Sequence, residues 1–317
     1  MLKIALVGVG GISGAHIPAW ISMDDAELVA LCDIRPEQME RYPEQRHYTD
    51  FDKMLESEQF DILDICLPTY LHADFAVKAL KKGINVLCEK PISLKKEDVA
   101  HIYRAAADNG TKFMVAQVLR FWPEYEIVKK IFDEKTYGAL LSGSMTRLGC
   151  YPKWSWDGWM MDENRSGLVP FDLHIHDLDF LVYAFGAPKH TVTHRSRRPE
   201  QDYLNAVYEY DGFFITTEAS WYASPYPFRA AFRFQFERAV VAWEQGEMKI
   251  YEKDGKVWNP VGGDAQGDTG DIGLPQSNAY ANEIRYFTDC VKAGKMPEKV
   301  KPAELETVIG LLTSDTF

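Results

Sequence analysis

The residues of this chain best suited to chemistry are one lysine and one carboxylate–imidazole pair. In Phe171-Asp172-Leu173-His174-Ile175-His176-Asp177, Asp172 and His176 lie four residues apart, which on a helix places them on one face. A carboxylate one turn before an imidazole can orient the ring and raise its basicity. A histidine titrating near neutrality suits removal of a hydroxyl proton as hydride leaves the adjacent carbon. Asp179 and Tyr183 continue the stripe, while Leu178, Leu181, Val182 and Phe185 form the apolar side. The blander readings are a carboxylate favoured by a helix N-terminus for Asp172 and a satisfied buried imidazole for His176. Lys90 follows the apolar run beginning at Ile84, in Cys88-Glu89-Lys90-Pro91. It is either a surface lysine at a loop start or a group beside a bound ligand. His174 and His176 resemble a metal pair, but neighbours two apart on a helix point about 200° apart, so no metal is expected.

Stepping from these residues to the elements that carry them, the first half alternates short apolar runs with helical periodicity. Ile4–Val7, Glu27–Cys32, Ile62–Cys66, Ile84–Cys88 and Phe113–Ala116 read as strands buried on both faces. Helical patterns at Ala73–Lys82 and Lys95–Asn109 end before Gly83 and Gly110. Repeated βα units imply a parallel, doubly wound sheet. Its first turn reads Gly8-Val9-Gly10-Gly11-Ile12-Ser13. Gly8 permits a tight turn, Gly10 lets backbone N–H groups approach a pyrophosphate, and Ser13 takes the third small position of the dinucleotide fingerprint. Asp33 ends the second strand, where a carboxylate accepts ribose hydroxyls and repels a 2′-phosphate. NAD is therefore favoured. Arg35 keeps NADP open, because a guanidinium there can accommodate that phosphate. Ligands of such folds bind beyond the C-terminal strand ends, which adds Pro68, Thr69, His72, Glu89, Lys90 and Gln117 to Gly8, Gly10, Gly11, Ile12, Ser13, Asp33 and Arg35 as expected cofactor residues.

The pattern changes after about Arg120. A helix-like stretch, Glu124–Asp133, leads to a strand at Leu140–Leu148 and a loop carrying Trp154, Trp156 and Trp159. After the Asp172–His176 segment come Ala206–Tyr210, Phe214–Trp221, Ala230–Phe236 and Ala239–Trp243, strands without intervening helices that imply a mainly antiparallel sheet. Asn259–Leu274 reads as a loop, and helices at Ala279–Ala293 and Ala303–Leu312 close the chain. The expected domains are 1–118 and 119–317.

Bulk properties exclude several classes. A net charge of −12 argues against nucleic acid, whose phosphates need a concentrated basic surface. Arg195, Arg197 and Arg198 read as a solvated strand end. Five dispersed cysteines without a C-x-x-C pair point to reduced thiols. The apolar start breaks into glycines within eight residues, unlike a signal peptide, and no run reaches the ~20 apolar residues of a membrane span. A cytoplasmic protein is expected.

Five motifs in order carry a resemblance: the Gly8 fingerprint, Pro68-x-x-x-His72, Glu89-Lys90-Pro91, Asp172-x-x-x-His176-Asp177 and Tyr280-x-x-Glu283-Ile284-x-x-Phe287. Together they resemble the glucose–fructose oxidoreductase, inositol dehydrogenase and MocA family over nearly the whole chain. The resemblance implies an α/β plus α+β fold. An N-terminal Rossmann domain would precede one with a large, open, mainly antiparallel sheet, whose exposed face commonly serves oligomerisation as a homodimer or homotetramer. It implies an NAD(P)-dependent dehydrogenase acting on CH–OH groups of a sugar, inositol or related polyol. His176 would be general acid/base, Asp172 its partner or a substrate ligand, and Lys90 would hydrogen-bond the reacting oxygen. Arg120, Trp159 and Tyr280 join Lys90, Asp172 and His176 as expected substrate residues; Trp122, Pro123, Asn164 and Arg165 are weaker candidates. Two other classes stay open: a glycosidase or lyase that cycles bound NAD, and a non-enzymatic dinucleotide-binding sensor. The family's usual short return to the first domain is not expected after Phe317.

Overall fold

The computed structural model describes residues 1–261 and 278–314, so Asn259–Leu274 falls outside the described residues beyond Val261. The chain divides into two compact units, Met1–Val118 with Ala265–Leu305 and Leu119–Asp264 with Glu306–Phe317.

The first unit holds β1 (Leu2–Val7), α1 (Ser13–Ile21), β2 (Ala26–Cys32), β3 (Arg46–Tyr48), α2 (Phe51–Ser57), β4 (Ile62–Ile65), α3 (His72–Lys81), β5 (Asn85–Glu89), α4 (Lys96–Asp108) and β6 (Phe113–Ala116). Its six strands are all parallel, in the order β3-β2-β1-β4-β5-β6. The order reverses between β1 and β4, the switch point at which doubly wound folds bind ligands. β1, β2, β4, β5 and β6 are the continuous apolar runs read from sequence. β3 escaped that reading because it is a three-residue, polar, largely exposed edge strand.

The second unit contains α5 (Pro123–Asp133), β7 (Leu140–Cys150), α6 (Glu163–Ser166), α7 (Ile175–Phe185) and β8 to β14: His190–Arg198, Gln201–Glu209, Phe214–Tyr222, Arg229–Phe236, Ala239–Glu244, Glu247–Glu252 and Val257–Trp258. Eight strands form one sheet, β14-β13-β12-β11-β7-β10-β9-β8. All neighbours are antiparallel except β7 and β10. The strands alternate as a one-sided sheet must: β9 buries Asp202, Leu204, Ala206 and Tyr208 and leaves Tyr203, Asn205 and Val207 half-buried. Helices α5 and α7 cover the inner face through edge-on aromatic contacts, Tyr125 with Phe180 and Phe232, and Phe185 with Phe234.

Two further helices follow, α8 (Ala279–Lys292) and α9 (Pro302–Leu312). The expected cut after residue 118 differs from these units in one respect, since the described residues 278–305 group with the first. The physical reason is the amphipathic face of α8, where Tyr280, Ile284 and Phe287 are buried. Arg285 from α8 also pairs with Asp25, just after α1, at 2.6 Å, and Lys292 joins the same carboxylate.

Helix α7 is held by buried charge. Asp179 receives two hydrogen bonds from Arg120, 2.8 Å from Nε and 2.6 Å from Nη2, and Tyr183 lies against the same guanidinium. Asp177 accepts from Arg147 of β7 at 2.8 Å. Removing one member of such a pair strands the other's charge. Asp179→Ala is expected to lower unfolding stability by about 3–5 kcal/mol in a urea titration; an unchanged midpoint would contradict a clamp at this position.

Candidate active site

In the first unit the dinucleotide turn is shaped by a close backbone approach. Gly8 has φ +92°, and a Cβ there would lie 2.5 Å from the Cys66 carbonyl oxygen, so only glycine fits. At Gly10 the opposite holds: an added Cβ would meet nothing, leaving open the space a pyrophosphate needs to reach the backbone. Ser13 is buried, and its hydroxyl donates to the Gly10 carbonyl at 2.7 Å, tying the turn to the start of α1. No side chain among the described residues caps that helix start. Asp33 accepts the Val9 N–H at 2.7 Å and the Arg35 N–H at 2.8 Å. A carboxylate has lone pairs to spare beyond two such bonds, so Asp33 both fixes the glycine turn and retains acceptors for ribose hydroxyls. Arg35 Nε stands 3.6 Å from the same carboxylate. Gly11 is exposed and Ile12 half-buried beside it. The turn therefore fits a dinucleotide.

The neighbouring strand ends carry the other expected residues. Pro68 is half-buried and opens a helical turn, Thr69–Leu71, that runs into α3. His72 is not presented to a ligand. It is buried, with Nδ1 2.7 Å from the Pro91 carbonyl and Nε2 2.7 Å from that of Leu67. Burial pulls its pKa below the ordinary histidine value, against the opposing pull of the two carbonyls. Its ring joins the loops that follow β4 and β5. Glu89 is likewise buried: Oε2 accepts the Lys90 N–H at 3.0 Å and Oε1 lies 2.9 Å from His16. Lys90 itself is half-exposed, and the Lys90–Pro91 bond is cis. Gln117 is buried at the end of β6.

In the second unit a π-helical turn, Pro170–His174, leads into α7. Such turns are frequent at functional sites. From Leu168 to Val182 every residue is buried except Asp172 and His176, which are half-exposed. His174 points elsewhere: its Nε2 lies 2.6 Å from the Tyr208 hydroxyl in the core. Burial, then the nearby Arg147 charge, pull its pKa down to about 3, which keeps it neutral. The two histidines thus diverge, as helical geometry requires.

Among the weaker candidates, Trp122 is buried, and Trp159 packs against the cluster formed by Met160, Leu168, Val169 and Trp221. Arg165 pairs with Asp157 at 3.0 Å, and Asn164 is exposed. Arg120, expected to touch substrate, is fully buried and pairs with Asp179. Tyr280 belongs to the first unit, where it is buried with its ring 5.8 Å from that of His16.

Sequence reasoning missed His16 and Asp64. His16 sits on the buried face of α1 with Ser13, Ile17 and Trp20, and Asp64 interrupts the apolar strand Ile62–Ile65. A lone carboxylate in a strand buried on both faces must find a partner, and that was the available signal.

Residues 2–117 match the oxidoreductase family with an NAD-binding Rossmann fold, and residues 125–247 match the GFO/IDH/MocA C-terminal domain. A 2,7-anhydro-N-acetylneuraminate hydratase of Escherichia coli is 27% identical over 79% of this chain and 68% of its own length. An inositol 2-dehydrogenase of Rhizobium meliloti is 25% identical over 92% of this chain and 89% of its own. Some other curated relatives align over about half of their own length. An oxidoreductase from Agrobacterium radiobacter, solved with NAD+, L-tartaric acid and magnesium, superposes with a TM-score of 0.83 at 17% identity, covering 98% of this chain and 94% of that one. At that identity the likeness shows the fold.

The buried, neutral His174 sets a pH dependence. Its folded pKa of about 3 lies below the unfolded value of about 6.5, so the unfolded state binds the extra proton first as pH falls. Stability from this group is complete above about pH 6.5 and is lost on acidification toward pH 3. In denaturant titrations, the stability gap between the native chain and His174→Asn should shrink by about 2 kcal/mol from pH 7.5 to 5. A gap independent of pH would show that His174 takes up its proton as readily in the fold as in the unfolded chain.

Proposed function

The chain belongs to the GFO/IDH/MocA oxidoreductase family, and from that membership we propose that it is an NAD-dependent dehydrogenase acting on a secondary alcohol of a sugar, inositol or related polyol. The carrying observation is the half-exposure of Asp172 and His176 in a run otherwise buried from Leu168 to Val182. An imidazole and a carboxylate kept partly exposed in so buried a segment suit work on a ligand better than packing.

In this reading His176 takes the hydroxyl proton of the substrate and returns it in the reverse direction. Asp172 orients the imidazole or accepts a neighbouring substrate hydroxyl. The Lys90 ammonium donates a hydrogen bond to the reacting oxygen and stabilises its developing negative charge. Bound NAD supplies the acceptor for the hydride that leaves the carbon. Asp33 disfavours a 2′-phosphate, which supports NAD over NADP, and Arg35 is the residue through which NADP would be tolerated. A small-molecule substrate follows from the same roles, and the negative net charge weighs against nucleic acid. We take the protein as cytoplasmic; no helix among the described residues is long and apolar enough to cross a membrane. The half-buried outward residues of the eight-stranded sheet, Tyr203, Asn205 and Val207 of β9 among them, support a homodimer or homotetramer.

A second reading is favoured by the hydratase among the relatives. Adding or removing water leaves no net oxidation, so the same residues would serve a reaction in which cofactor is reduced and reoxidised within one turnover.

The test is absorbance at 340 nm with NAD and NADP against a panel of polyols and sugars. Steady NADH formation is expected, with Lys90→Ala and His176→Ala each slowing it by roughly 100- to 10,000-fold. Product formation without net NADH would favour the redox-cycling reading, and full activity in either variant would remove that residue from the mechanism.

A further inference from the structure

The first unit buries a second set of ionisable groups that the roles above leave unused. His16, on α1, has no exposure. Its Nδ1 lies 2.9 Å from Asp64 Oδ2 on β4, and its Nε2 2.9 Å from Glu89 Oε1 on β5. Trp20, one turn along α1, donates its indole N–H to the same Asp64 oxygen at 2.7 Å. Carboxylates only accept, and a neutral imidazole has a single N–H. Two ionised carboxylates, one at each ring nitrogen, are both satisfied by an imidazolium that donates to each.

The surroundings agree. Burial, the largest single influence, works against charge on His16, but the Asp64 carboxylate and, after it, the Cys66 sulfur together outweigh it and hold the imidazole well above its ordinary pKa. The other groups facing the ring are the Cys66 thiol after β4 and the Tyr280 ring from α8. The thiol is itself pushed up to about 12, first by burial and then by the Asp64 charge.

Glu89 links this cluster to the chemistry. While Oε1 faces His16, Oε2 accepts the backbone N–H of Lys90 at 3.0 Å. On the far side of the same short segment, His72 grips the Pro91 carbonyl. The residue assigned to the reacting oxygen thus begins from a backbone fixed at both flanks.

We propose that His16, acting through Glu89, is a positioning residue for Lys90, with both ring nitrogens donating, to Asp64 and to Glu89. This inference rests on the role given to Lys90 above. His16 touches no reacting atom. It sets the rotamer of Glu89, and Glu89 sets where the Lys90 backbone starts. Because its pKa is raised, its contribution is complete below the ordinary value of about 6.5 and is lost only as pH rises through the folded value. The position of Lys90 therefore holds across neutral pH.

Two measurements test it on the full chain. In ¹⁵N-labelled protein at pH 8, both His16 ring nitrogens, identified by their loss in His16→Gln, should give the signals of a protonated imidazolium. The signals of a neutral ring, or a stoichiometric metal ion bound in their place, would overturn the proposal. In assays, His16→Gln and Glu89→Gln should each lower kcat by about 100-fold while KM for NAD stays within about threefold, and the double variant should fall no further than either one. Independent, multiplying losses, or an unchanged kcat, would overturn it. Should His16→Gln not fold, the ring signals of the native chain and hydrogen exchange at the Lys90 amide in Glu89→Gln, expected to accelerate, still decide. If the native chain turns over no substrate, the dehydrogenase reading fails, and the ring signals continue to report on His16 alone.

Discussion

The dinucleotide-binding unit depends on how two carboxylates buried at neighbouring strands are compensated. Asp64 and Glu89 sit on β4 and β5 with almost no access to water. A buried charge without a partner costs several kcal/mol, so the fold is consistent only with His16 and Trp20 of α1 turned inward between them. That fixes the rotation of α1 about its axis. The same helix begins at the glycine turn, whose first residue presses against the Cys66 carbonyl beyond the end of β4. One polar cluster therefore sets both the start of the cofactor loop and, through Glu89, the start of the Lys90 segment.

The second unit uses the same device in another place. α7 carries two acidic residues, Asp177 and Asp179, and Asp172 lies just before it, but they divide by environment. Asp177 and Asp179 are buried and claimed by Arg147 and Arg120. Asp172 and His176 stay half-exposed. Arg147 ties the helix to β7, and Arg120 ties it to the turn that precedes α5. Rigid support on regular elements is what a proton-transfer pair needs.

Much of this was legible in the residues. The alternation of apolar runs and helical periodicity gave the parallel sheet, and the glycine turn with Asp33 gave the dinucleotide site. Asp172, His176 and Lys90 stood out because their chemistry is conspicuous against apolar neighbours. What escaped was long-range pairing. Arg120 reads as a cleft residue until Asp179, 59 positions later, is seen to occupy it. His72 reads as a ligand contact until its ring is found between two carbonyls. His16 and Asp64 are 48 positions apart, and neither carries a local signal of the other. The short edge strand β3 and the return of α8 to the first unit were hidden for the same reason, since both are fixed by tertiary contact rather than local pattern.

The measurement that bears most directly on the account is isotope transfer. A perdeuterated polyol or sugar turned over with NAD should deliver one deuterium to the nicotinamide ring, read by mass spectrometry of the NADH formed, while its hydroxyl proton exchanges with water. Deuterium in the reduced cofactor is the result predicted here. Turnover of such a substrate that leaves no deuterium on the nicotinamide at any stage would contradict hydride transfer from carbon, and with it the central claim.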